Sequence, residues 1–338
     1  MRICLIGESH GDLDEGMRKS SFHISRELSK THQLLLLDIR NVISKSFWRD
    51  LKEFNPEIVH YIHGSSLKSF ILLKIVSLYS RDAKSVISMM RPNFSMVSKH
   101  IISFIKPNLT LVQSDEMERT FKALKCKIKF LPIGGVDTKR FNANTRRNKE
   151  ELRTKYGINI DLFVILHIGS IKKGRNILWL KKLQEKTDEI HVLIVGAAST
   201  GICQDGLHQL ENAGCIVWTE YFDHVEEIYA LSDCYVFPVL PKKDMLGRNV
   251  ADCIEMPLSV LEAMSCNLPV ISTKFGALPR IFEDGGGLIF VDSEEDIIGA
   301  VKKVKNTDVN VETREKVLPY AWGNIVRRLE GIYEELKS

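Results

Sequence analysis

Residues 254–284 read IEMPLSVLEAMSCNLPVISTKFGALPRIFED. The order predicted from them is loop, helix, strand, loop. Pro257 can open a helix, because its missing N–H falls where a first-turn donor has no partner in any case. Ser259–Ser265 (SVLEAMS) is rich in helix formers, and Asn267 stands where a left-handed residue is tolerated at a helix end. Pro269, Val270 and Ile271 predict a short buried strand. The helix mouth offers unpaired N–H groups and the positive end of a dipole, a setting that suits phosphate. Glu262, one turn in, can accept hydrogen bonds from sugar or ribose hydroxyls. The alternative for Glu262, and for Glu255 before it, is a solvated charge at a helix end.

A chain of 338 residues is too long for one ordinary core and fits two domains. Apolar residues make up 44% and charged residues 27%, the balance of a soluble globular protein. No apolar run is long enough to span a membrane, and MRICLIGESHG lacks the marks of a signal peptide. Seven Cys without paired spacing argue against a disulfide framework or a zinc site, which points to a reducing, cytoplasmic setting. The net charge of +4 hides an asymmetry. Residues 1–150 carry 26 Lys+Arg against 15 Asp+Glu, and the rest carries 21 against 28. A basic first half suits an anionic partner, either a membrane surface or a phosphate-bearing acceptor, or is an ordinary solvated surface. Nucleic acid is disfavoured, because no aromatic platform or recognition-helix pattern accompanies the charge.

Along the chain, strands and helices alternate. RICLIG (2–7) is a strand, 8–16 a polar loop and 17–30 a helix, the opening of a Rossmann-like unit. The loop lacks G-x-G-x-x-G spacing. Asp12 and Asp14 form a D-x-D that reads more simply as loop solvation than as a metal site. QLLLLD (33–38) is the second strand and EIVHYIH (57–63) the third. His63, followed by Gly64, ends the third strand where a ligand can meet it, whereas His60 falls on the other face. Arg91 follows the strand at 85–89 and either holds an acceptor phosphate or lies on the surface. Helices at 67–79 and 96–105 carry apolar residues that look exposed; they cover the sheet or touch a membrane. Ser114 caps a helix with acids in its first turn. Residues 128–133 end the first domain.

In the second half, LFVILHI (162–168) is a strand, followed by Gly169-Ser170-Ile171-Lys172-Lys173-Gly174-Arg175-Asn176 and a helix from Ile177. A small basic turn between a strand end and a helix start suits a diphosphate. Strands follow at 191–196, with Ala197-Ala198-Ser199 after them, at 215–219 and at 234–238. The basic connection 240–253 is a lid over a bound ligand or a surface loop. Residues 320–336 form a final amphipathic helix. This pattern predicts an α/β chain of two Rossmann-like domains facing a cleft.

The run Pro257–Ile271 resembles the donor-site motif of the family 4 glycosyltransferases of GT-B fold. Gly134–Phe141 (GGVDTKRF) resembles that family's interdomain linker, and residues 226–238 (EEIYALSDCYVFP) resemble the stretch before its donor loop. The family's two motif acids sit eight apart, whereas Glu255 and Glu262 sit seven apart; eight back from Glu262 is Ile254. The resemblance implies an N-terminal acceptor domain (1–141, joined by a C-terminal helix, 320–338) and a donor domain (142–319). It implies a nucleotide sugar as substrate, a retaining hexosyl transfer, no cofactor and no metal. Gly169, Ser170, Lys173, Arg175, Leu258 and Glu262 fall at donor positions, with Glu262 on the ribose and Glu255 on the transferred sugar. Ser170 stands where the family carries Arg, so Lys173 or Arg175 supplies the cation. Gly11, Gly16, His63 and Arg91 fall on the acceptor side, Arg91 where relatives place a His. His63, Lys173 and Glu255 are the expected catalytic residues. Two rivals remain, a GT-B nucleotide-sugar epimerase and a sugar-nucleotide-binding homologue without transfer. Products formed from donor alone separate the first, and donor binding without turnover supports the second.

Overall fold

Segments such as RICLIG and QLLLLD are apolar almost without alternation. Such strands must be covered on both faces, which is the condition of a parallel sheet with helices on each side. In the computed structural model the described residues form two six-stranded sheets with every strand pair parallel. The structure describes residues 1–338 except 9, 12, 14, 187, 197–200 and 247, and without the side chains of 96 and 145–147. The Asp12/Asp14 pair and the turn at 197–199 therefore lie outside the described residues.

The chain divides into two units. The first holds Met1–Gly135, Lys243–Met256 and Trp322–Ser338; the second holds Val136–Lys242 and Pro257–Ala321.

In the first unit, β1 (Arg2–Gly7), β2 (Gln33–Asp38), β3 (Ile58–Tyr61), β4 (Lys84–Ser88), β5 (Leu109–Val112) and β6 (Ile128–Phe130) pair in the order β2-β1-β3-β4-β5-β6. The order reverses direction between β1 and β3. In open parallel sheets ligands bind at such a switch point, beyond the strands' carboxyl ends. There the chain carries Glu8 to Gly16 after β1 and His63-Gly64 after β3. β3 stops two residues before His63, because Ser65 leaves the ladder to pair with Arg91 O and Asn93 N.

The second unit repeats the plan with β7 (Phe163–Ile168), β8 (Ile190–Val195), β9 (Ile216–Trp218), β10 (Cys234–Phe237), β11 (Val270–Thr273) and β12 (Leu288–Val291). Their order is β12-β11-β10-β7-β8-β9, so the switch point falls between β7 and β10. Gly169 to Asn176 leaves from β7 at that point. The helix expected from Ile177 begins at Trp179, because Asn176 takes a left-handed φ of 54° and binds Pro238 O through its side chain. The helix of the decisive stretch is Leu258–Ser265, with Pro257 one place earlier as its N-cap. Asn267 is left-handed (φ 55°), and its amide holds Val311 O and Arg314 N–H. A glycine could adopt that φ but could not tie down residues 311–314.

The final helix, Trp322–Lys337, packs on Gly16–Leu28 in the first unit. Tyr333 on it meets His60 Nδ1 at 2.6 Å, while His60 Nε2 meets Ser88 Oγ at 2.8 Å. His60 is fully buried, and burial drives its pKa down to about 3, so it is a neutral structural histidine. The helix expected over 96–105 ends at Ile102, and the helices Lys149–Lys155 and Thr313–Val317 carried no strong periodic signal.

Candidate functional site

Of the residues expected at the donor, Gly169, Ser170, Lys173 and Arg175 follow β7, and Leu258 and Glu262 lie on the helix Leu258–Ser265, whereas Glu255 falls in the first unit. Tyr235, on β10, joins the first two stretches. Its hydroxyl is 2.7 Å from Ser259 Oγ in the first helical turn and 3.3 Å from Ile168 O at the end of β7. One phenol thus ties the Gly169 loop to the mouth of the helix. Glu262 is 4% exposed, and the Tyr229 hydroxyl donates to its Oε2 at 2.9 Å. The same hydroxyl reaches Ser259 O at 3.3 Å. Burial, then the adjacent Glu262 charge, holds the Tyr229 phenol well above its ordinary pKa, so it remains a donor. Glu262 is therefore an oriented buried acid and not a solvated helix-end charge. Leu258 opens the helix and is buried beside it.

In the loop after β7, the Gly169 N–H pairs with Val195 O at 3.0 Å, and Ser170 is buried. A Cβ on Gly169 would stand 3.1 Å from His167 Nε2 and 3.9 Å from an Arg175 guanidinium nitrogen. Arg175 is half-buried and Lys173 exposed. His167 was not singled out from the sequence, where it reads as one more residue of an apolar strand. Its Nδ1 faces Val236 O at 2.9 Å, so that nitrogen carries the proton. Burial brings its pKa down to about 4, and the ring is neutral.

The first unit gathers a second group. Glu8, directly after β1, pairs with Arg18 at 2.9 Å and lies 3.6 Å from His63 Nε2. Arg40 and His10 both reach Asp38 at the end of β2. Glu15 caps the helix Gly16–Leu28 by accepting from Met17 and Arg18 N–H. Gly11 has φ 107°, which only glycine adopts readily, and a Cβ there would press on the Arg18 guanidinium at 2.9 Å. A Cβ on Gly16 would meet Ile254 Cδ1 at 2.7 Å. Burial outweighs Glu15 and Glu8 and lowers the His63 pKa, which keeps the imidazole neutral near pH 7. Arg91 pairs with Asp252 at 3.3 Å.

The stretch Lys243–Met256 belongs to this first unit. Lys243 pairs with Glu116, Asn249 donates to Pro92 O at 2.9 Å, and the Glu255 N–H donates to Met90 O at 2.7 Å. Glu255 is 6% exposed, so it too is no solvated charge. Burial drives its carboxyl up to about 7, against the opposing pull of a Ser114 hydrogen bond and of Lys243. Glu8, Arg18, Ser114, Tyr229, Tyr235 and Ser259 all shape these sites without having been picked out as ligand-side residues. The one available signal was position, since Glu8 and Ser259 follow a strand end and open a helix respectively.

Comparison with known proteins fits this geometry. Residues 163–306 match the family described as glycosyl transferases group 1. The chain is 29% identical over 185 residues to a sulfoquinovosyl transferase of Arabidopsis thaliana, covering 54% of this chain and 33% of that protein. It is 27% identical over 241 residues to a D-inositol 3-phosphate glycosyltransferase of Corynebacterium jeikeium, covering 64% and 54%. The aligned regions thus span a third to about half of those relatives. Among solved structures, HepE of Anabaena, in complex with UDP and glucose, superposes with a TM-score of 0.75 at 12% identity, covering 99% of this chain and 100% of that one. A glycosyltransferase of Rickettsia africae gives 0.75 at 16%, covering 99% and 98%. At such identities the structural likeness is one of fold. The match over residues 163–306 makes this part of the chain similar to the group 1 glycosyl transferases, and the superpositions give the chain the fold of those solved structures.

Proposed function

We propose that the chain is a retaining glycosyltransferase that moves a sugar from a nucleotide-sugar donor to a saccharide or phosphate-bearing acceptor. One observation carries the reading: Glu262 is buried yet oriented by Tyr229, on a helix whose first turn is tied through Tyr235 to the end of β7. A buried carboxylate aligned by a phenol is suited to grip vicinal hydroxyls, and the helix mouth beside it favours phosphate. A nucleoside diphosphate presents both groups a few bonds apart. That HepE was solved with UDP and glucose supports the donor class.

In this scheme the second unit takes the donor. Lys173 and Arg175 face the diphosphate, with Gly169 and Ser170 allowing close approach, and Glu262 accepts from the ribose. As the bond to the sugar breaks, negative charge grows on the leaving diphosphate, and the two cations stabilise it. Leu258 packs beside the donor. Glu255, the acid assigned to the transferred sugar, is a hydrogen-bond donor while protonated. The first unit presents the acceptor, with Gly11 and Gly16 leaving room and Arg91 offered to an anionic group. Neutral His63 is able to accept a hydrogen bond from an acceptor hydroxyl.

The test is transfer by Glu262→Ala and Lys173→Ala. Each variant is expected to lose transfer by orders of magnitude while keeping the wild-type circular dichroism. Near-normal turnover in both would remove the donor assignment. A melting-temperature screen of nucleoside diphosphates identifies the donor class, because a true ligand stabilises in proportion to its occupancy.

A further inference from the structure

The helix Leu67–Tyr79 carries apolar residues on both its buried and its exposed sides. Phe70, Leu72, Leu73 and Val76 are buried, yet Ile71, Ile75 and Leu78 are 43%, 39% and 63% exposed. Those three recur at i, i+4 and i+7, so they form one outward stripe. The helix Met96–Ile102 packs against it and repeats the arrangement. Val97, Ile101 and, just past its end, Phe104 are 71%, 39% and 74% exposed at the same spacing. In an ordinary surface helix such a stripe faces the core and the outer side is polar. Here both helices bury one apolar face and present another to solvent, within one unit of the chain. Adjacent exposed apolar stripes of this kind mark an interaction surface.

Charge narrows the partner. The two helices carry Lys68, Lys74 and Lys99 and no acid. Lys68 and Lys74 are exposed on the first helix, and Lys99 and His100 lie on the second. At the edge, the Tyr79 ring lies 4.8 Å from that of Trp48, two side chains suited to the boundary between apolar and polar media. A second copy docking face to face would bring like charges together, which opposes association. An anionic bilayer meets both features at once, with lipid phosphates for the lysines and acyl chains for the stripes.

We propose that this face of the first unit docks on an anionic membrane surface. The stripes enter the headgroup boundary and Lys68, Lys74 and Lys99 meet lipid phosphates. The proposal does not depend on the donor reading, because docking is measured with no nucleotide or acceptor present.

The experiment is co-sedimentation of the full chain with vesicles of phosphatidylcholine alone and of phosphatidylcholine with one-quarter phosphatidylglycerol. Binding to the anionic vesicles is expected to exceed neutral binding by at least about tenfold and to fall with added salt. Lys68→Gln with Lys74→Gln should weaken it roughly thirtyfold, at about a factor of five per lysine. Phe104→Ser should weaken it by about tenfold or more through lost apolar burial. All three positions are exposed, so the variants should melt with the wild type, and a loss then reports docking. Equal binding to both vesicle types, or binding that neither variant changes, would overturn the proposal. So would a stable dimer that Phe104→Ser dissociates and that does not bind vesicles, since the face would then be a protein interface.

Discussion

The Tyr229 hydroxyl donates a 2.9 Å hydrogen bond to the Glu262 carboxylate, and both side chains are buried in the second unit. Tyr229→Phe removes this donor from a buried carboxylate. The expected cost is about 1.5–3 kcal/mol of stability, the range for a hydrogen bond to a charged group. The carboxylate also loses its fixed aim, so affinity for a nucleoside diphosphate should fall by about tenfold, near the worth of one hydrogen bond to a charged group. Chemical denaturation reads the first effect and calorimetric titration of nucleotide the second. A variant with unchanged stability and affinity would show that Tyr229 fills space and does not orient Glu262.

Glu255 gives a prediction of opposite sign from the usual carboxylate. Its carboxyl ordinarily titrates near 4.5, and burial in the first unit raises it to about 7. Between those values the unfolded chain has released the proton while the folded unit still holds it. The group's contribution is therefore complete below 4.5, declines as pH rises, and is gone above 7, a change on the order of 3 kcal/mol. Glu255→Gln keeps the shape and removes the titration. The variant should match the wild type near pH 4.5 and be the more stable of the two at pH 8. Buried His60 and His167, both lowered, act the other way below their ordinary range by resisting protonation. The wild-type-minus-variant difference cancels them. Urea midpoints at pH 5 and 8 settle the sign, and a wild type that outlasts the variant more at pH 8 than at pH 5 would rule the reading out.

Much of the frame was readable from the sequence because it rests on short-range rules. Continuous apolar strands between helical runs imply parallel sheets, and both sheets are parallel. Asn267 was placed as a left-handed stop, and it is one. Side-chain partners were less readable, because they depend on which strands neighbour one another. Tyr235 reaches Ser259 only because β10 pairs with β7 and β11, and no spacing along the chain reveals that. His60 was placed on the face opposite His63. Its partner, Tyr333, lies 273 residues away on the final helix. The basic connection 240–253 lies in the second half of the chain, yet from Lys243 onward, as far as Met256, the chain groups with the first unit through Glu116, Pro92 and Met90. Burial of Glu255 and Glu262 was equally hidden, since a carboxylate beside a helix start is solvated in most settings.

Gly169 supplies a test that separates packing from ligand binding. Its φ is not left-handed, so the backbone itself accepts a side chain. The obstacle is His167, whose Nε2 would lie 3.1 Å from the new Cβ. That ring is buried, held by Val236 O at 2.9 Å and stacked near Tyr235, so it yields only by giving up a hydrogen bond. Gly169→Ala should therefore cost about 1–3 kcal/mol, the range for overpacking a filled interior. The same methyl intrudes beside Arg175, where close approach of a diphosphate needs room, and nucleotide affinity should fall by about tenfold or more. A double-mutant cycle with His167→Ala divides the two effects. If the ring is the obstacle, Gly169→Ala becomes nearly neutral for stability in the His167→Ala background. If the loop also lies against the donor phosphates, nucleotide affinity stays low in that background. Full recovery of both would confine Gly169 to packing and move the phosphate contact elsewhere in the second unit.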